Sequence, residues 1–368
     1  MQRFTSSIRR PVKREGAERY LLITLLSYAT SVTFTRLFLE ITGFPQLGGG
    51  GLHIAHVLWG GLLLFIASLL PLLVANRWAL TASAVLAGAG VGLFIDEVGK
   101  FITQTNNYFY PLAAPIVYAL FLLTVLLYLR VRRPPTRGAR AELYRAFDSF
   151  EEVLEHDLDP QEREELKGRL AYIAKTSESP DLALLASDLL EYLTSDSLSI
   201  APPRPTSLDH LVELGQRIEQ GWINRKRLRA ALAGALLGLG LMALTNMVMA
   251  LPFGPGAEAL RRTLEALIAG GQISSQRGVN WFAARVALET SVGLLLMAAA
   301  GLLIAGRDRW GTAIGYLALL LSLTTVDLLV FYFDQFSAII TASVQFAVFL
   351  SVAYYRKKYV LEKENGEE

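Results

Sequence analysis

The chain has 368 residues, 52% hydrophobic and 18% charged, with a mean hydropathy of +0.38. A soluble chain carries about a quarter charged residues, so the deficit points to a membrane protein. A net charge of +2 gives no global basic field for nucleic acid. The absence of cysteine excludes disulfides, thiolate metal sites and cysteine nucleophiles.

Residues 1–19 carry Arg3, Arg9, Arg10, Lys13, Arg14 and Arg19, and no small-residue cleavage site follows the first apolar block. That block is therefore expected to stay as a transmembrane helix with a cytoplasmic basic N-terminus. Eight apolar segments are predicted to span, near 20–40, 52–75, 79–101, 110–131, 228–250, 281–305, 311–332 and 336–355. Each approaches the ~20 residues that cross a hydrocarbon core as a helix. Arg77, Arg130 to Arg133, Arg225 to Arg227, Arg307, Arg309 and Arg356 to Lys358 all fall on the side of the N-terminus. The predicted topology is a multi-pass protein of the cell (inner) membrane with both ends in the cytoplasm. The link 251–280 breaks the pattern with Arg261, Arg262 and Arg277; within it Pro255 to Ile268 reads as an amphipathic helix on the outer surface.

The chain also resembles itself. Gly61 to Trp78 aligns with Gly293 to Trp310 without a gap, sharing Gly-Leu-Leu-Leu at the start and Arg-Trp at the end. Asp96 and Asp327 then occupy nearly equal depths in the third and seventh spans. These features predict an all-α fold of two parallel four-helix repeats, 20–133 and 227–358, related by an axis along the membrane normal.

Between the halves, 134–226 reads as a small cytoplasmic helical domain. Helix starts are marked by Asp159-Pro160 with Glu162, by Ser179-Pro180-Asp181 and by Ser207-Leu208-Asp209. The tail 359–368 is acidic.

Ionisable residues inside spans cost about 2.5–3.5 kcal/mol on insertion scales, so each needs a reason. The topology brings several to the outer leaflet: Arg36 and Glu40 on the first span, His53 and His56 on the second, Asp96, Glu97 and Lys100 on the third, and Asn107 before the fourth. His53 and His56 are three residues apart and share a helix face. Gly88, Gly92, Asp96 and Lys100 recur every four residues, so the glycines that allow close helix approach also aim Asp96 into that interface. Tyr108 and Tyr110 are expected in the interfacial aromatic belt.

Three accounts fit these residues. In the first, His53, His56 and Asp96 hold a divalent transition metal (Zn, Fe or Mn) for an enzyme acting on a lipid or lipid-linked substrate. Asp96, Glu97 and Glu40 would then be catalytic, and Arg36, Lys100 and Asn107 would bind an anionic head group. In the second, the protein is a proton- or cation-coupled transporter or channel, with Asp327, Asp334, Arg285 and Glu289 as the relay. In the third, it is a sensor read out by a cytoplasmic partner of 134–226. Membrane lipids are the expected partners, and a homo-oligomer is compatible with the sequence. H-x-x-H lacks the glutamate of H-E-x-x-H, and no G-x-S-x or arginine ladder is present. The repeat places Arg285 and Leu288 opposite His53 and His56, so the histidines belong to one half only.

Overall fold

The computed structural model describes residues 11–43, 55–108, 110–133, 138–195, 198, 201–202, 224–249, 265, 268 and 276–361. Every regular element among them is helical. In chain order these are α1 (Ala17–Thr42), α2 (His56–Leu73), α3 (Arg77–Asp96), α4 (Val98–Ile102), α5 (Ala113–Val131), α6 (Ala139–Leu154), α7 (Pro160–Thr176) and α8 (Pro180–Thr194). The second half adds α9 (Arg225–Met249), α10 (Gln276–Ile304), α11 (Asp308–Leu321), α12 (Asp327–Asp334) and α13 (Ile339–Arg356). Seven helical stretches are long and apolar enough to cross a membrane: α1, α2, α3, α5, Arg225–Val248, Asn280–Ile304 and the run Asp308–Leu361. The protein is thus a multi-pass, membrane-type helical chain.

The chain divides into two compact units. The first takes residues up to Leu26, Phe65–Ala87 and Thr124–Leu214; the second takes Ser27–Leu64, Gly88–Leu123 and Gly215 onward. The third expected spanning segment differs from the sequence reading. It does not run unbroken to 101 but ends at Asp96, and Glu97 turns the chain into the short α4.

In the second unit, glycines set the helix approaches. A Cβ on Gly60 would lie 2.7 Å from the Phe94 nitrogen and 2.8 Å from the Gly90 carbonyl oxygen, so α2 and α3 cross backbone to backbone. One on Gly92 would lie 2.7 Å from Ser31, which seats α3 on α1. Ser31 then donates to the Ala89 carbonyl at 3.0 Å, and Tyr28 donates from α1 to the Val117 carbonyl on α5 at 2.7 Å. Small residues allow this contact where lipid supplies no hydrophobic drive.

Small residues also set the packing of α9, α10 and α11. Gly240 and Gly293 bring α9 against α10, and Gly311 and Gly315 pack on Leu303, Ala299 and Leu236. A continuous apolar core joins Leu236, Leu296, Ala299, Leu319, Val326, Val352 and Tyr355. The run Asp308–Leu361 folds back on itself. Tyr355 donates to Asp308 at 2.7 Å, and Ser322 lies 3.0 Å from Gln345. The reversal falls at Gln335, whose φ of 49° starts the 3₁₀ turn Gln335–Ala338.

The first unit contains α6, α7 and α8, packed through Leu143, Leu158, Leu166, Leu170, Ile173 and Leu193. Asp159 caps α7 with the expected box: its side chain accepts from the Glu162 N–H at 2.8 Å, and Glu162 accepts in return from the Asp159 N–H at 3.0 Å. The expected helix start at Ser207 lies outside the described residues, as do most of the 251–280 link and residues 362–368 of the tail.

Candidate functional site

The site is built where α1 ends, α2 begins and α3 breaks. Gly92 holds α3 on α1, and one turn later Asp96 faces Arg36. Arg36 Nε donates to Asp96 Oδ1 at 2.5 Å, and its Nη2 donates to the Asp96 carbonyl at 3.1 Å. On the other side, the Gly60–Gly90 crossing sets α2 so that His56, one turn earlier, reaches the same carboxylate. His56 Nε2 is 3.0 Å from Asp96 Oδ2, and its Nδ1 is 3.0 Å from Glu97 Oε1. Both approaches become favourable N–H to carboxylate contacts when the ring carries a proton on each nitrogen.

Gly99 lets the following loop close over this pair. A Cβ there would lie 2.7 Å from the Asn107 carbonyl oxygen and 2.9 Å from that of Tyr108. The loop turns at Asn106, with φ of 50°, and the Asn107 N–H donates to Thr103 Oγ1 at 2.7 Å. Tyr108 then donates to Asp96 Oδ2 at 2.7 Å. Its ring also lies 4.4 Å from the Arg36 guanidinium carbon, and Phe336, from the 3₁₀ turn of the second half, covers the guanidinium at 3.4 Å. Arg36 is thus held by one carboxylate and two aromatic faces.

Asp96 and Glu97 are 0% and 1% exposed. Lys100 Nζ stands 3.3 Å from Glu97 Oε1. Three basic side chains, Arg36, Lys100 and His56, therefore face two buried acids. Buried charges this close are stable together, and removing one partner leaves the other uncompensated.

The structure brings Arg36, His56, Asp96, Glu97 and Lys100 together. Arg36 pairs with Asp96, and Glu40 lies exposed one turn further on. Asn107 is exposed and contributes backbone contacts to the loop. His53 lies outside the described residues. Among the described residues, no group of three or more His, Cys, Asp or Glu side chains is arranged to hold a metal ion. Tyr108, expected in an interfacial belt, instead donates into the cluster. Only the folded loop reveals this, because nothing in the spacing links 108 to 96.

A second constellation lies in the other half. Arg285 on α10 makes two bonds to Asp334 at 2.8 and 2.5 Å and stands 3.5 Å from Glu289. Deeper along α12, Asp327 is 3% exposed, and no described Lys, Arg or His lies within ion-pair distance of it. Gln345, with its amide nitrogen turned toward the carboxylate, donates to Asp327 at 3.2 and 3.0 Å. Tyr118 bonds the Leu323 carbonyl at 2.7 Å, with its hydroxyl 3.4 Å from Asp327. The π-helical turn Ser322–Val326 immediately precedes this carboxylate. Such turns loosen the helical ladder and occur often at functional sites. Neither Tyr118 nor Gln345 was singled out by the sequence, and each stands among other polar residues of its apolar segment, such as Thr124 and Ser343.

Comparison with known protein families, with curated proteins and with solved structures found no match.

Proposed function

We propose that this chain is a proton-coupled membrane transporter in which Asp327 takes up and releases the proton. The observation that carries this reading is the contrast between two buried carboxylates. Asp96 is neutralised by Arg36 and His56, whereas Asp327 is held by an amide and a phenol, with no described cation in reach. A carboxylate buried without counter-charge is costly when ionised, and binding a proton removes that cost. Outward from Asp327, Glu289, Arg285 and the exposed Asp334 form the relay to the surface. The Arg36–His56–Asp96–Glu97 cluster acts in this reading as a fixed lock between helices.

The proposed architecture has eight spans in two parallel four-helix repeats, with both termini in the cytoplasm. The fold-back of Asp308–Leu361 supports counting that run as two spans. The repeat is supported by the parallel packing of the first and third helices in each half, at Ser31–Gly92 and Leu236–Gly315.

The test is proton flux into liposomes loaded with a pH-sensitive dye, under an imposed pH gradient and potassium/valinomycin potential. The wild type should acidify the lumen faster than protein-free vesicles do, and Asp327→Asn should remove the excess. A protonated-carboxyl infrared band missing in Asp327→Asn would identify the group even if flux awaits a co-substrate. Flux above that of protein-free vesicles that persists in Asp327→Asn, or the same band in both proteins, would sink the reading.

A further inference from the structure

We propose that the exposed apolar face of α6 lies in the lipid headgroup layer, at the membrane end where α3 begins and α5 stops. The inference does not depend on what the protein transports. α6 is bound to the first residues of a membrane helix. Asn76 donates to Glu155 at 2.5 Å, the Arg77 N–H donates to Glu151 at 2.5 Å, and Arg77 Nη2 donates to the Asp148 carbonyl at 3.0 Å. Arg77 Nη1 also bonds Glu152. The next residue, Trp78, is 58% exposed at the start of α3, and an exposed tryptophan at the end of a span marks headgroup level.

The other end of α6 is tied down as well. Val131 ends α5, and the chain reaches the start of α6 at Ala139 within seven residues. The C-terminal half of α6 is therefore bonded to the start of α3, and its N-terminus follows the end of α5 by a seven-residue link. Its surface fits that place. Tyr144, Asp148, Glu151 and Glu155 follow a four-three-four spacing, one stripe of a helix, so Tyr144 continues the stripe that faces Arg77. Phe147 and Leu154 border that stripe, at 50% and 79% exposed, while Leu143, Ala146, Phe150 and Val153 turn to the bundle core. A helix on a soluble bundle has no reason to show tyrosine, phenylalanine and leucine along one flank. A helix lying on a bilayer does, with its apolar side in the acyl boundary and basic residues at headgroup level. Arg130, Arg132 and Arg133 are exposed at the end of α5, and Arg140 lies over Tyr144 at 5.4 Å. These cations favour anionic lipid.

The chain has no cysteine, so single labelling sites need no prior removal of native ones. Phe147→Cys and Leu154→Cys would each carry a nitroxide in the full-length protein, reconstituted in vesicles of phosphatidylethanolamine and phosphatidylglycerol. Glu164→Cys, on an exposed charged position of α7, is the comparison. The expected result is an oxygen-to-nickel-chelate accessibility ratio several-fold higher at 147 and 154 than at 164. Ratios at 147 and 154 equal to that at 164 would place the face in water and overturn the proposal. Labels shielded from both reagents would overturn it too, because they would mean the face is covered by protein, such as a second copy of the chain.

Discussion

Arg36 and Asp96 are 60 residues apart in the chain and form a buried ion pair with Nε 2.5 Å from Oδ1. The pair joins the end of α1 to the end of α3, and His56 and Tyr108 complete the shell around the carboxylate. Arg36→Met would leave that carboxylate short of its main counter-charge. The expected loss is about 3–5 kcal/mol of stability, the usual cost of breaking a buried pair from one side. Arg36→Met with Asp96→Asn should lose less than Arg36→Met alone, because the uncompensated charge is gone. Thermal unfolding of the three proteins in one detergent reads the difference.

Gly60 and Gly61 are neighbours in sequence with opposite surroundings. A Cβ on Gly60 meets the α3 backbone, while one on Gly61 meets nothing within 4 Å. Gly60→Ala should force α2 from α3 and destabilise by about 1–3 kcal/mol. Gly61→Ala should be neutral or stabilising by up to ~1 kcal/mol, since alanine is the better helix former. Hydrogen exchange at the start of α2 should rise in the first variant only.

Glu152, outside the membrane spans, has its carboxyl pushed above the ordinary glutamate value of 4.5. Burial is the largest cause; it outweighs the opposing pull of the Arg77 guanidinium. A carboxyl raised in the folded state takes its proton there before it does in the unfolded chain. Acidification from neutral pH toward 4.5 therefore favours folding through this residue, and the contribution fades again as pH rises past the raised value. Glu152→Gln should remove that component of the pH profile. Amide exchange across α6, measured from pH 7 to pH 5 in both proteins, checks it.

Zinc, iron and manganese should be absent at stoichiometric levels from purified protein, because Arg36 and Tyr108 already bond the two carboxylate oxygens of Asp96. Elemental analysis of the wild type, His53→Ala and His56→Ala decides this. One metal per chain, lost in both variants, would restore the metal-enzyme reading.

The sequence alone determined the membrane class, the approximate position of the apolar helices and the start of α7. These depend on hydropathy, helix length and cap chemistry, which are local properties: Asp159-Pro160 opens α7 as expected. It also placed Arg36, His56, Asp96 and Glu97 at one level. Only the tertiary structure decided how those residues pair. Arg36 could bond Glu40 one turn away or Asp96 on another helix, and the choice rests on Gly92 bringing α3 onto α1. The helix that was expected to run on to 101 breaks at Glu97, and Lys100 stands 3.3 Å from the Glu97 carboxylate. Tyr108 reaches Asp96 because Gly99 has no Cβ to hold the loop away. Asp327 is set apart from Asp96 not by its own identity but by the absence of a described cation near it in three dimensions. Side-chain spacing fixes a residue's height and face on its own helix; which charge it meets depends on backbone approaches between helices, and single glycines far along the chain set those.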